Sequence, residues 1–398
     1  MDRKVILSRL KDELSTELAD ILNYWINHTI DKQYGGFVGK MDNYNEVDYK
    51  APKGSVLNSR ILWAFSAAYN LNGNEVYLQI ANRAYQYINS NFIDKEFGGV
   101  YWSVDYQGGK LDTKKQVYAI AFAIYGLSEY YKATKLDPVK GQAIQLYHDL
   151  VNHGYDQLST GYFEAFTRDW KALGDLRLSS KDANEKKTMN THLHVVEAFA
   201  NLYTIWPYNA LRLQIEGLLK NFAEHFIDQG SHRLKLFFDE NWESKSDLIS
   251  YGHDIEASWL LLECAVIVGE EPLIQQYSTM AIAMAEKVTE GLDADGALWY
   301  EFKPDQNYLV KEKHWWVQAE ALVGFYNTWQ LSRDEKYLAI VVENWKFIKS
   351  KILDKTHGEW YWGINSDGKV MRAEDKVGIW KCPYHNSRAC IEIIRRIG

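Results

Sequence analysis

Proline is scarce in this sequence, at 6 of 398 residues, where roughly 5% is usual. With 46% hydrophobic residues as well, the chain is neither disordered nor a loop-rich β protein. Cysteine is scarcer: Cys264, Cys382 and Cys390 are odd in number and match no zinc spacing. They exclude a disulfide framework and point to a reduced, cytoplasmic setting. There is no basic excess either, with 45 Lys+Arg against 53 Asp+Glu and a formal net charge of −8. That argues against nucleic acid or an anionic membrane as the main partner. Long apolar runs are missing: residues 257–269 (ASWLLLECAVIVG) are too few to span a bilayer and include Glu263. The start, MDRKVILSRLKDEL, lacks the apolar core and cleavage site of a signal peptide. Its Val5, Ile6, Leu7, Leu10 and Leu14 have helical spacing instead.

Aromatic residues are plentiful: 15 Trp, 27 Tyr and 15 Phe, 14% of the chain. Many follow glycine in a recurring pattern, a helix, a few polar residues, then Gly and aromatics. Gly35-Gly36-Phe37, Gly98-Gly99-Val100-Tyr101-Trp102 and Gly161-Tyr162-Phe163 are three copies. Gly296-Ala297-Leu298-Trp299-Tyr300 and Gly358-Glu359-Trp360-Tyr361-Trp362 are two more. Anchors 36, 99, 161, 296 and 358 lie 62 or 63 residues apart, except for one gap about twice as long. The stretch from His232 to Phe238 sits in that gap and supplies a degenerate copy. Six units of roughly 60 to 70 residues each have room for two helices and a short hairpin. Residues 74–90 read as an amphipathic helix, and residues 115–131 as one that is apolar nearly all round. Six half-exposed helices alternating with six buried ones describe an all-α (α/α)6 barrel. Its twelve helices form two concentric rings, with short β-hairpins between repeats. No polar capping repeats mark the ends of an open superhelix, so a single domain spanning 1–398 is expected. The polar stretch 179–188 is then a loop within it.

Polar residues on the buried helices are informative, because burying them unpaired is costly. They gather near the helix starts: Arg60, Tyr118, Asn190 with His194, His253 with Glu256, Trp316 with Gln318 and Glu320, and Trp380 with His385. In a closed ring those starts meet at one mouth, where helix dipoles favour developing negative charge. Asn190 and His194 share a helix face, as do His194 and Glu197, whereas His192 and His194 point apart. His253 and Glu256 repeat the His-x-x-Glu spacing. The two motifs lack the further carboxylates of a di-metal site, so no metal is expected. Arg60 is expected to meet a substrate hydroxyl or an internal carboxylate, and most glycine–aromatic hairpins to serve packing.

A mouth with three imidazoles, an arginine, a tyrosine and tryptophan faces suits a neutral polyhydroxyl ligand. Histidine moves protons both ways near neutrality, so two on opposite sides of one carbon would invert it without a cofactor. Three readings of other kinds remain. A glycosidase needs two carboxylates across the scissile bond, for which Glu256 and Glu320 are available, and leaves the histidines idle. An aldose–ketose isomerase would return the proton to C1. A non-catalytic sugar-binding barrel would not need the histidines.

Five segments carry a resemblance over essentially the full length: NSRILW (58–63), TMN with His194, SYGHDIEASWL (250–260), WWVQAEA (315–321) and WKCPYHN (380–386). On them the chain resembles the N-acylglucosamine 2-epimerase superfamily, and its Cys-Pro-Tyr-His-Asn form favours the cellobiose 2-epimerase branch over the N-acylglucosamine epimerases. The resemblance implies an (α/α)6 barrel and reversible, cofactor-free epimerisation at C2 of the reducing-end glucose of β-1,4-linked disaccharides. Cellobiose would give glucosyl-mannose, and lactose epilactose. It implies His253 and His385 as the acid/base pair, acting after ring opening through a cis-enediolate. Rotation about C2–C3 or the paired base would present the other face. His194, Arg60 and Asn190 would hold the O1/O2 oxygens, Tyr118 and Glu256 would bind or orient, and Trp316 and Trp380 would stack on sugar rings. The disaccharide is the expected partner. With no coiled-coil seam, a monomer or weak homodimer is expected.

Overall fold

The structure, a computed structural model, describes residues 3–398. Its inner helices are buried almost all round. In α4 (Val117–Thr134) every residue from Val117 to Tyr130 is buried, which a surface helix could not tolerate. The other inner helices are α2 (Ser55–Asn72), α6 (Met189–Tyr203), α8 (Tyr251–Val268), α10 (Trp315–Ser332) and α12 (Tyr384–Ile397). Each packs on the next, and α12 packs on α2, so the ring closes. Gly126 of α4 lets that helix approach α2, since a Cβ there would lie 2.7 Å from the Ser59 carbonyl oxygen. Gly324 of α10 does the same against the Ile255 carbonyl of α8, at 2.8 Å.

The outer ring is α1 (Arg3–His28), α3 (Glu75–Tyr87), α5 (Asp137–Asp149), α7 (Asn209–Asn221), α9 (Glu271–Val288) and α11 (Glu335–Phe347). These helices bury one stripe each; in α3 it is Tyr77, Ile80, Ala81, Ala84 and Tyr87, at helical spacing. The expected helix 74–90 is shorter than its pattern: Asn74 caps it, accepting from the Val76 N–H, and a π turn over Ile88–Phe92 ends it. The twelve helices make the (α/α)6 barrel that the repeats implied. Among the described residues no helix is long and apolar enough to cross a membrane.

All six glycine–aromatic turns are present as equivalent bridges, including the degenerate one. Ile30 pairs Phe37, Ile93 pairs Val100, Tyr155 pairs Tyr162, Ile227 pairs Leu234, Leu292 pairs Leu298 and Leu353 pairs Trp360. In the fourth unit His232 takes the left-handed conformation at φ 55°, as Thr160 does in the third at φ 63°, where glycine supplies it in the other four. Two residues just before each of five inner helices pair with the next unit's turn, for instance Lys53–Gly54 with Ser103–Val104. Met41 and Val377 join the last unit to the first. In four units the first of those two residues is a lysine, Lys53, Lys115, Lys187 or Lys313, reaching the aspartate of its own unit's turn, and the fourth unit has Ile249 there.

Candidate active site

Residues from the beginnings of all six inner helices line one cavity of about 380 Å³. Arg60, Tyr118, Asn190, His194, His253, Glu256, Trp316, Trp380 and His385 are all on its wall. One of the nine differs from expectation in local structure: Trp380 precedes α12 and is not part of it. Pro383 stands at the helix cap, and a proline disfavours helix in the residues leading into it. The loop expected at 179–188 contributes Ser179, Ser180, Lys181 and Asp182 to the wall.

The three imidazoles are each anchored through Nδ1. His194 Nδ1 lies 2.8 Å from Glu197 Oε2, His385 Nδ1 is 2.7 Å from Glu320 Oε1, and His253 Nδ1 is 2.8 Å from Ser250 Oγ. Anchoring one ring nitrogen leaves Nε2 for the cavity. The two His-x-x-Glu motifs are therefore not equivalent: His194 bonds its own glutamate, while Glu256 turns from His253 to Arg388, 2.5 Å away. His192 points elsewhere, as its spacing predicts, with Nδ1 donating to the Thr188 carbonyl and Nε2 accepting from the Tyr162 N–H.

Burial, with repulsion from His194, pushes His253 down to about 3. Burial, Arg60 and Arg388 hold His385 well below the usual histidine range. Both are thus neutral bases near pH 7. Burial and then the neighbouring Glu320 raise Glu256 to about 7. Burial also pushes Glu197 upward, yet Arg388 and His194 bring it down to about 2. Arg60 meets no carboxylate among the described residues, contrary to one of the expectations for it. Its Nη2 donates to Tyr118 Oη at 2.7 Å, its Nε has no partner, and its guanidinium lies over the Phe122 ring at 4.2 Å. A buried, unpaired cation on the cavity wall is poised for an oxyanion.

Spacing alone missed the layer behind this wall. Arg388 is buried among Glu197, Glu256 and Glu320, with nitrogen–oxygen distances of 2.5, 2.5 and 2.6 Å. Its partners lie 68 to 191 residues away in sequence, so no local motif announces it. Glu256, Glu320 and His385 bring ligand atoms within 4.8 Å of one another, a donor set that would fit a cation. Arg388 Nη2 bonds both carboxylates and already supplies the positive charge. A second aromatic wall was also unforeseen: Tyr300 stacks on His314 at 3.9 Å, with Trp315 and Trp362 beside them.

A closed double ring that turns acid–base groups onto one cavity defines an enzyme of the (α/α)6-barrel class. The sequence model of the N-acylglucosamine 2-epimerase (GlcNAc 2-epimerase) family matches residues 35–389. A Bacteroides fragilis protein named cellobiose 2-epimerase is 47% identical over 386 residues, covering 97% of this chain and 98% of that one. One from Ruminococcus albus with the same name is 40% identical, covering 96% of this chain and 98% of its own. The solved cellobiose 2-epimerase of Bacillus thermoamylovorans superposes with a TM-score of 0.94 at 40% identity, covering 98% of this chain and all of that one. The chain belongs to the N-acylglucosamine 2-epimerase family and is an epimerase, an enzyme of the isomerase class.

Proposed function

We propose that this chain, acting as one catalytic domain over 1–398 in a reduced cytoplasmic setting, reversibly epimerises C2 of the reducing-end glucose of β-1,4-linked disaccharides without a cofactor. Cellobiose gives glucosyl-mannose and lactose gives epilactose. One observation carries the reading: the Trp316 ring lies 4.8 Å from the His253 ring and 5.8 Å from the His385 ring, centroid to centroid. A sugar ring stacked on Trp316 is then within reach of two neutral imidazoles.

Ring opening moves the O1 proton to the ring oxygen and exposes the C1 carbonyl. One imidazole takes the C2 proton through Nε2, and the C–H electron pair forms the C1–C2 double bond of a cis-enediolate, leaving charge on O1. Arg60, His194 and Asn190 hold O1 and O2, and the unpaired guanidinium meets the developing charge. The other imidazole, neutral at rest, takes up a proton from Glu256 and delivers it to the opposite face of C2. The double-bond electrons return as a C–H bond, and the proton left on the first imidazole restores Glu256. Glu256, near 7, keeps a proton available at this end of the cavity. Tyr118 orients the substrate, and Trp380, 6.0 Å from the Tyr118 ring, stacks on it with Trp316. Glycoside hydrolysis finds less support, because Glu320 stands behind His385 and not on the cavity wall.

The test is incubation with cellobiose and with lactose in heavy water, with the products read by NMR. Glucosyl-mannose and epilactose carrying deuterium at C2 are expected. Two monosaccharides would sink the reading, and so would a ketose as the main product.

A further inference from the structure

Two of the three cavity imidazoles are anchored by carboxylates, and both carboxylates are held by the same side chain. Arg388 Nη1 bonds Glu197 Oε1 at 2.5 Å and also the Tyr384 hydroxyl. Its Nη2 bonds Glu256 Oε1 at 2.5 Å and Glu320 Oε1 at 2.6 Å. The guanidinium is 1% exposed, lies 4.9 Å from the Trp259 ring and is absent from the cavity wall. It cannot touch a substrate. The groups around it come from four further inner helices and its own: Tyr125 of α4, Glu197 of α6, Glu256 and Glu263 of α8, Glu320 of α10, and Tyr384 and His385 of α12.

Resting on the function proposed above, we infer that Arg388 is a positioning residue: it keeps Glu197 and Glu320 ionised and aimed, and so fixes the tautomer of His194 and His385. An ionised carboxylate can only accept a hydrogen bond, so the Nδ1 it faces must carry the ring proton. Nε2 then presents its lone pair to the cavity, as a base requires. If Glu320 took up a proton it would donate to Nδ1 instead, and the ring proton would move to Nε2. That imidazole could no longer abstract a proton at C2. Three buried carboxylates around one site are under pressure to protonate, and burial does push Glu256 and Glu320 upward. Arg388 opposes that pressure, and its planar fork reaches all three where a single ammonium could not. One side chain thereby sets both imidazoles through their carboxylates and grips Glu256 directly.

The experiment records the imidazole 15N shifts of His194 and His385 in the substrate-free protein, for the parent, Arg388→Met and Arg388→Lys. Turnover of cellobiose and thermal melts accompany them. In the parent both rings are expected with the proton on Nδ1. In Arg388→Met the His385 ring shifts to the Nε2–H form or a mixture, and kcat falls about 100-fold while KM stays within about threefold. Should Arg388→Met fail to fold, Arg388→Lys decides, with at least one of the two rings losing its single tautomer. Unchanged tautomers in the folded variant overturn the inference, as does a kcat within about twofold of the parent. The spectra need no substrate, so an inactive parent would count against the proposed disaccharide and leave the reading of Arg388 to the tautomers.

Discussion

At the repeat junctions lysines meet aspartates of the turns: Lys53 with Asp31 at 2.6 Å, Lys115 with Asp94 at 2.8 Å, Lys187 with Asp156 at 2.8 Å, Lys313 with Asp293 at 2.6 Å and Lys376 with Asp354 at 2.6 Å, while Arg168 also reaches Asp94 and Lys313 also reaches Asp295. Around the cavity the charges do not match. One arginine, Arg388, faces three glutamates, and another, Arg60, faces none. Both regions are buried, so the difference is not one of exposure. A matched pair satisfies itself, tying a turn to the start of an inner helix and leaving nothing for a ligand. Mismatched charges keep a cation free for an oxyanion and leave Glu256, near 7, free to hold a proton. Substitutions in the two regions should therefore fail in opposite ways.

The largest effect is expected at the cavity histidines. His253→Ala and His385→Ala should each lower kcat by about 10³-fold or more while the protein stays folded, as turnover assays with circular dichroism would show. Arg60→Met should cost about 10²- to 10³-fold in kcat. Its melting temperature should hold or rise, because an unpaired buried charge has been removed. Lys53→Met should invert that pattern. Stranding Asp31 should cost about 3–5 kcal/mol in urea unfolding, with kcat of the folded fraction within about twofold. Equal losses of activity and stability in either variant would erase the distinction between the regions.

His192→Gln should have the smallest effect on turnover. Its imprint should be on acid stability, since burial holds the His192 pKa at about 3 against an ordinary 6.5. The unfolded chain then takes up a proton before the folded one does, so this stability is full above 6.5 and drains away as pH falls toward 3. Unfolding free energies measured across that window should fall less steeply in the variant than in the parent.

The barrel could be read from sequence because its signals are local and repeated. A glycine–aromatic turn needs its own few residues, and a helix apolar all round announces its burial. The His232 turn was legible only from the gap it fills, as its Gly230 does not lie just before the bridging residue and no glycine–aromatic pair marks it. All nine residues singled out for the site face one cavity, because each sits near the start of an inner helix and the fold carries those starts together. The layer behind them escaped for the complementary reason. Arg388 lies one turn beyond His385, and its meaning comes only from glutamates on three other helices. The junction lysines were missed too, as a lysine before a helix reads as surface until its aspartate is located 20 to 31 residues away.

The central claim is that His253 and His385 serve opposite faces of one carbon. It is tested most directly by incubating His253→Ala and His385→Ala separately with cellobiose and with glucosyl-mannose in heavy water, and following C2 by NMR. Each variant should wash deuterium slowly into C2 of one of the two sugars, a different one for each variant, with no conversion between them. Conversion of one sugar into the other by either variant, at a rate near that of the parent, would contradict the account.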